Sequence, residues 1–339
     1  MVDSATLIVG PSWVGDMVMS HSLIRLLNDR EPERPLDVLA PGWSLPIVAR
    51  MAEVRQAFAV DVGHNEIGLG KRRRLGHELR ERYDRAIVLP RSFKSGLVPW
   101  FAGIETRTGY RGETRYGLIN DMRPFDPEIL DQTVKRFVAL GLKADEDLPA
   151  LLYPALQISA EKQQAVIERL DIQGERPVIA LMPGAEYGPA KCWPFEKYAD
   201  LANRVTADGY DVWILGSEKD DVAGQAISTA SPARNLCGKT SLEDVIDLLA
   251  YAEQAVSNDS GLMHVAAAVG THTHAIYGSS TPRFTPPLTD TADIHYLDLE
   301  CSPCFDRDCP LGHLRCLKEL DVAAVHVAIR RGKSSKIDE

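Results

Sequence analysis

Short, nearly uninterrupted apolar runs recur along the chain, separated by longer segments with helical spacing. Thr6–Val9 is the first; Leu36–Ala40, residues 57–60, residues 86–89 and a weaker run at Thr106–Tyr110 continue the series. Runs of this kind suit strands covered on both faces, as in a parallel sheet. Residues 17–27 carry apolar side chains at 23, 24, 26 and 27 and predict a helix. A second series starts at 177–182 and continues through 211–215, 234–236, 255–257 and 273–277, with helices fitting 193–208, 219–230, 241–251 and 261–269. Gly209 is placed to end the first of these helices. Residues 125–176 read as mostly helical, punctuated by Pro149, Pro154 and Gly174, and the connection between domains is expected near 155–176. Strands alternating with helices in this way predict two α/β domains of similar size, each a doubly wound parallel sheet. Ligands in such folds bind beyond the carboxyl ends of the strands, and two such domains facing each other would enclose a central cleft.

The loops at those carboxyl ends carry the candidate chemistry. Residues 255–257 run into Asn258-Asp-Ser-Gly261 and then into a helix rich in Ala and Val. A strand feeding a helix start leaves backbone N–H groups without partners, and the helix dipole favours an anion over them. Ser260 and Gly261 permit close approach, Asp259 offers a carboxylate to hydroxyls, and His264 lies about one turn in. This pattern points to a phosphate joined to a polyol, such as a sugar nucleotide; an ordinary turn with Asp as helix cap reads equally well. Gly10-Pro-Ser-Trp-Val-Gly15 is neither a dinucleotide fingerprint nor a Walker A loop, because Asp16 stands where Lys would be needed. The loop presents one carboxylate at a helix start, available as a general base or as a cap. Lys191 closes a long loop with several Gly and Pro after residue 182, where it could meet a diphosphate or point to solvent. Asp220 follows the next strand, at a position used either for ribose hydroxyls or for an acidic first helical turn.

Charge and cysteine content narrow the classes. The net charge of −10 argues against a general nucleic-acid binder, but residues 1–150 are neutral, with 21 basic and 21 acidic side chains. Within them, residues 71–123 hold 13 Lys and Arg against six Asp and Glu, a patch suited to an anionic partner unless it is a solvated helix face. No window approaches the roughly 18 apolar residues of a membrane span, and no leader-like pattern opens the chain, so a cytoplasmic protein is expected. Cys301, Cys304, Cys309 and Cys316 have the spacing C-x2-C-x4-C-x6-C, with His313 among them. In a cytoplasmic protein such thiols suggest a metal before disulfides, although the spacing is more compact than common zinc patterns. A structural zinc, a metal-dependent redox or regulatory module, and a cysteine-rich loop that binds nothing all remain open.

Taken together, Gly10-Pro-Ser-Trp-Val-Gly-Asp16, Pro90-Arg-Ser-Phe-Lys-Ser95, Thr108-Gly-Tyr-Arg-Gly112, Arg115-Tyr-Gly-Leu118, Pro183-Gly-Ala-Glu-Tyr-Gly-Pro-Ala-Lys191, Asn258-Asp-Ser-Gly-Leu-Met-His264 and Phe284-Thr-Pro-Pro287 resemble the ADP-heptose:lipopolysaccharide heptosyltransferases of glycosyltransferase family nine. The stretches span nearly the whole chain, in order. The resemblance implies the GT-B fold, with residues 1–165 as an acceptor-binding domain and 166–339 as a domain for ADP-heptose, the last helix being a candidate to pack back on the first domain. It implies an inverting transfer of heptose to a heptose of the lipopolysaccharide inner core, the second heptose of that core, at the cytoplasmic face of the inner membrane. A related enzyme adding the first or third heptose is the near alternative, and a nucleotide-binding oxidoreductase the remote one. Asp16 then falls on the catalytic base. Lys191, Asp259, Ser260, Gly261, Leu262, Met263 and His264 fall on the donor site, with Asp220 and Thr240 near the nucleoside. Glu186 and Tyr187 stand where some relatives have a hydroxyl residue. Arg91, Lys94, Arg111 and Arg115 are expected to contact an anionic lipid A–Kdo–heptose acceptor and the membrane surface. No cofactor or metal is expected in catalysis.

Overall fold

A computed structural model describes residues 4–63, 66–172 and 174–334. The chain divides between Leu156 and Gln157 into two compact units. The first holds β1 (Thr6–Val9), α1 (Val14–Arg30), β2 (Leu36–Ala40), α2 (Leu45–Val48), β3 (Val54–Ala59), α3 (Leu69–Glu78), β4 (Arg85–Val88), α4 (Leu97–Phe101), β5 (Thr106–Tyr110), β6 (Asp121–Arg123) and α5 (Thr133–Leu140). The second holds α6 (Ala160–Arg169), β7 (Val178–Met182), α7 (Phe195–Ala207), β8 (Asp211–Ile214), α8 (Asp221–Ala230), β9 (Arg234–Asn235), α9 (Leu242–Tyr251), β10 (Gln254–Asn258), α10 (Gly261–Ala268), β11 (His272–Ile276), β12 (Ala292–His295), α11 (Arg315–Lys318) and α12 (Val322–Ser334). No helix among the described residues is long and apolar enough to cross a membrane.

The sheets have the orders β3-β2-β1-β4-β5-β6 and β12-β11-β10-β7-β8-β9, and the paired strands run parallel. Numbered within its own unit, each sheet reads 3-2-1-4-5-6, the order of dinucleotide-binding folds. The order reverses between β1 and β4 in one unit and between β7 and β10 in the other, and crevices for ligands open at such points. The central strands are apolar because helices cover both faces: every residue of β1, β2 and β7 is buried. In the first unit Leu7, Val9, Leu39, Val88, Val98 and Ile104 share one core, and α1 packs its buried Leu23, Ile24 and Leu27 toward α5. In the second, Ile179, Leu181, Tyr198, Ile214 and Val256 form a core completed by Leu317 of α11 and by Val325 and Ile329 of α12.

Several expectations are corrected. Among the described residues of 125–176, the α-helices are α5 and α6. The division at 156/157 puts α6 wholly in the second unit, against α9, whereas the expected boundary at 165 would cut through it. The helix read at 17–27 begins at Val14, so Asp16 belongs to its first turn and not to a loop. β6 and β12 carry no apolar run because they are sheet edges, half-exposed and charged, and the first half of β3 is polar for the same reason.

Candidate active site

Asp16 lies in the first turn of α1, half-buried, just past the carboxyl end of β1. The N-cap residue Trp13 makes no side-chain capping bond, and the positive end of the helix dipole stabilises a carboxylate there. Gly10 and Ser12 after β1, Trp43 after β2, Arg72 of α3, and Ser92 and Lys94 after β4 line a small cavity of about 70 Å³; Asp16 follows its Gly10–Ser12 wall in the chain and is not itself part of the lining. The indole N–H of Trp43 donates to the Ser12 carbonyl at 2.9 Å, tying the loop after β2 to the one before Asp16.

The basic residues of this unit separate into two groups. Arg91 and Arg111 are exposed, and Lys94 is half-buried in the pocket wall. Arg115 is 1 % exposed. Its guanidinium donates to the carbonyls of Pro90 at 2.7 Å and Tyr110 at 2.5 Å and to Ser95 Oγ at 3.2 Å. Burial, and next the neighbouring Arg91, push it down to about 10. The expectation that Arg115 meets the acceptor is therefore corrected: it holds the 90–95 loop, and the loop carries Lys94. Conversely, Arg72 sits in a basic stretch that read as a solvated face, yet it is 8 % exposed and lines the pocket. Only every third or fourth residue of α3 can face inward, a distinction composition does not carry. Arg111→Ala is expected to raise acceptor KM several-fold without moving the melting temperature. Arg115→Leu should lower the melting temperature by several degrees, leaving three acceptors short of a donor. Thermal melts and acceptor titrations check the pair; equal effects on both readouts would erase the distinction.

In the second unit the loops after β7 and β10 meet at the point where the strand order reverses. Lys191 Nζ lies 2.5 Å from Asp259 Oδ2, with side chains 16 % and 4 % exposed. Asp259 also accepts from Ser280 Oγ at 2.5 Å and Thr285 Oγ1 at 3.3 Å. The carboxylate read as a partner for ligand hydroxyls thus first serves to fix the lysine. Ser260 is the N-cap of α10 yet makes no capping bond to it, so among the described residues the first-turn N–H groups of Gly261, Leu262 and Met263 are left without a side-chain cap. A turn of this kind binds anions. His264 is buried with no partner for Nδ1 among the described residues. Burial, opposed by Asp259 and assisted by Lys191, pushes it down to about 4, so it is neutral near pH 7. Thr240 Oγ1, in the loop after β9, is likewise buried without a partner among the described residues. Asp220, by contrast, acts here as a cap: its Oδ2 accepts from the backbone N–H and the hydroxyl of Ser217, both at 2.8 Å. It packs so closely on Gly184 that a Cβ there would come within 2.2 Å of Oδ1.

Two supports of this site were not legible in the sequence. Asn258, read as a turn residue, is buried at the end of β10. Its Oδ1 accepts from the Trp193 N–H at 3.0 Å and the Tyr198 hydroxyl at 3.1 Å, and its Nδ2 donates to the Pro183 carbonyl at 2.6 Å, so it stitches both ends of the Lys191 loop to the sheet. The second support is the cysteine-rich segment. Arg307 stacks over the Tyr187 ring at 5.4 Å, on which Lys191 also rests at 5.1 Å. The Arg307 carbonyl accepts from the Ala190 N–H at 3.0 Å, and Phe305 N–H donates to Ser279 O at 2.7 Å. Gly188 admits this contact because a Cβ would lie 2.6 Å from the Arg307 carbonyl oxygen. The thiols themselves form no disulfide. Cys316 is buried in the core while Cys301 is exposed, and among the described residues no three of the four bring their sulfurs within 4.8 Å of one another. Of the readings left open for these cysteines, a structural zinc gains no support from this geometry.

Two doubly wound units, each with its polar residues gathered where the strand order reverses, define a two-domain α/β enzyme class with an anion-binding helix start in the second domain. Comparison with known proteins makes the class specific. The family described as glycosyltransferase family 9 (heptosyltransferase) matches residues 72–315, and the chain belongs to that family. It is 49% identical over 301 residues to lipopolysaccharide heptosyltransferase 2 of Escherichia coli K12, covering 85% of this chain and 86% of that protein. Identity to lipooligosaccharide heptosyltransferase 2 of Haemophilus influenzae is 46% over 303 residues, covering 85% and 87%. The solved structure of E. coli ADP-heptose lps heptosyltransferase II superposes with a TM-score of 0.88 at 43% identity, covering 98% of this chain and 99% of that one. The fold is accordingly GT-B, and the oxidoreductase alternative falls away.

Proposed function

We propose that this chain transfers L-glycero-D-manno-heptose from ADP-heptose to a heptose of the lipopolysaccharide inner core, with inversion from β in the donor to α in the product. The observation that carries the reading is the uncapped start of α10 beside the buried Lys191–Asp259 pair, a setting suited to a diphosphate. Asp16 takes the proton of the acceptor hydroxyl as that oxygen forms its bond to the anomeric carbon. The bond from that carbon to the diphosphate oxygen breaks, and ADP leaves with the electron pair. Lys191 and the N–H groups of Gly261, Leu262 and Met263 stabilise the charge gathering on the leaving group. Neutral His264 is suited to hydrogen-bond the sugar or phosphate without repelling the lysine. Thr240 supplies a hydroxyl toward the nucleoside. In the first unit Arg72, Lys94, Arg91 and Arg111 supply positive charge for an acceptor carrying phosphates and carboxylates, and the exposed members suit a transient hold on an anionic membrane surface at the cytoplasmic face.

Turnover with ADP-heptose and a lipid A–Kdo–heptose acceptor, following ADP release and product mass together, tests the assignment. A product heavier by one heptose, with no reaction on the heptose-free acceptor, is the expected result. Reaction on the heptose-free acceptor alone would reassign the chain to the first heptose.

A further inference from the structure

β11 and β12 carry a side-chain cluster that heptose transfer does not use. His272 and His274 alternate on one face of β11, and Asp293 and His295 on the same face of β12, with Asp293 directly beside His274 in the parallel register. His272 Nε2 is 2.7 Å from Asp293 Oδ2, His274 Nδ1 is 3.5 Å from the same oxygen, and His295 Nε2 is 3.4 Å from His274 Nδ1. The ligand atoms of His272, His274 and Asp293 all lie within 4.8 Å of one another, the one such grouping of His, Cys, Asp or Glu among the described residues. The cluster sits at the amino end and middle of β11, whereas Ser280 and the donor-site loops lie beyond its carboxyl end.

The tautomer of the central histidine is fixed from behind. Gln254 Nε2 donates to the Ile329 carbonyl at 3.0 Å, which turns Gln254 Oε1 toward His274 Nε2 at 2.8 Å. Nε2 must then carry the proton, and Nδ1 presents its lone pair to the Asp293 carboxylate. Two acceptors facing each other call for a cation between them. A metal-bound histidine whose other nitrogen donates to an amide or carboxyl oxygen is the usual support of such a site. The edge of a tetrahedron with bonds of about 2.0 Å is about 3.3 Å, close to the 3.4 and 3.5 Å found around His274 Nδ1; His272 and Asp293, hydrogen-bonded at 2.7 Å, must part by about 0.6 Å to admit the ion. His274 itself is fully buried.

We propose that His272, His274 and Asp293 bind one divalent transition-metal ion of borderline softness, zinc by preference, with His295 the nearest donor for the fourth position. The ion would clamp the edge strand β12 to β11 beneath α12, a structural site separate from catalysis. In the metal-free alternative His295 donates to His274 and His272 to Asp293, closing a hydrogen-bond chain.

The test strips the purified full-length protein with chelator and titrates it with cobalt(II), then measures zinc by elemental analysis after reloading and dialysis. One metal per chain is expected, with visible d–d absorption of tetrahedral cobalt and no near-ultraviolet thiolate-to-cobalt band. His274→Ala and the half-exposed His272→Gln should each weaken binding at least 100-fold. Cys301→Ser/Cys304→Ser should leave binding unchanged, and zinc should raise the melting temperature of the parent but not of His272→Gln. Transfer activity of His272→Gln should equal the parent's. Binding no tighter than in His272→Gln, or a thiolate band that disappears in the cysteine variant, would overturn the proposal.

Discussion

Asp16→Asn is expected to lower kcat for heptose transfer by about 10²–10⁴-fold, the usual worth of a positioned general base, while affinity for ADP-heptose stays as in the parent. The substitution keeps the shape of the side chain and removes its capacity to take a proton. Asp16 lies in the first unit, and the diphosphate-binding elements proposed above all lie in the second, so donor binding and chemistry can be separated experimentally. Calorimetric titration with ADP-heptose, with single-turnover transfer measured beside it, gives both readouts. The carboxylate also complements the α1 dipole, a contribution of about 0.3–1 kcal/mol, so only a small fall in melting temperature is expected. Near-normal turnover in Asp16→Asn would remove it from the mechanism.

Lys191→Met should be damaging twice over. It leaves the Asp259 carboxylate buried without its cation, and breaking such a pair from one side costs about 3–5 kcal/mol. The melting transition of the second unit should fall by on the order of 10 °C. Donor KM should also rise about 10–100-fold, the worth of one charge-assisted hydrogen bond of about 1.5–3 kcal/mol. The double variant Lys191→Met/Asp259→Asn separates the two effects. With neither charge present, Ser280 can still donate to the amide oxygen while Thr285 Oγ1 accepts from the amide NH2, so most of the lost stability should return while donor binding stays weak. If donor binding returned together with stability, the lysine would be a structural partner of Asp259 and nothing more.

How far these positions could be read in advance depended on what each residue must satisfy. β1 and β2 fall at their expected bounds because their apolar runs stop abruptly at Gly10 and at Pro35 and Pro41. The same reading misses β6 and β12, whose exposed edges tolerate Asp, Arg and His. At the site, Lys191, Asp259 and His264 were legible because a strand running into a helix start creates a local demand for an anion. Arg115 was misplaced because a buried arginine and an exposed one are the same letter; what buries it is a set of carbonyls from loops far apart in sequence. Asn258 and Arg307 were missed for the complementary reason, since each works through partners on distant segments. The order of strands within each sheet was legible only as a class, because pairing across crossovers leaves no periodic trace in the sequence.

The contact between Tyr187 and Phe305 joins segments 118 residues apart, and this has a consequence for the order of events on the ribosome. The first unit can complete its sheet as soon as its own residues emerge, since domains fold as units during synthesis. The loop bearing Lys191 is synthesised long before the segment that braces it, and closing so long a separation is entropically slow. A chain interrupted just before residue 305 would carry the first unit and β7 to β12 but an unbraced lysine loop. If the lysine loop holds the donor as proposed, its bracing comes late, once residues 305–307 have been delivered.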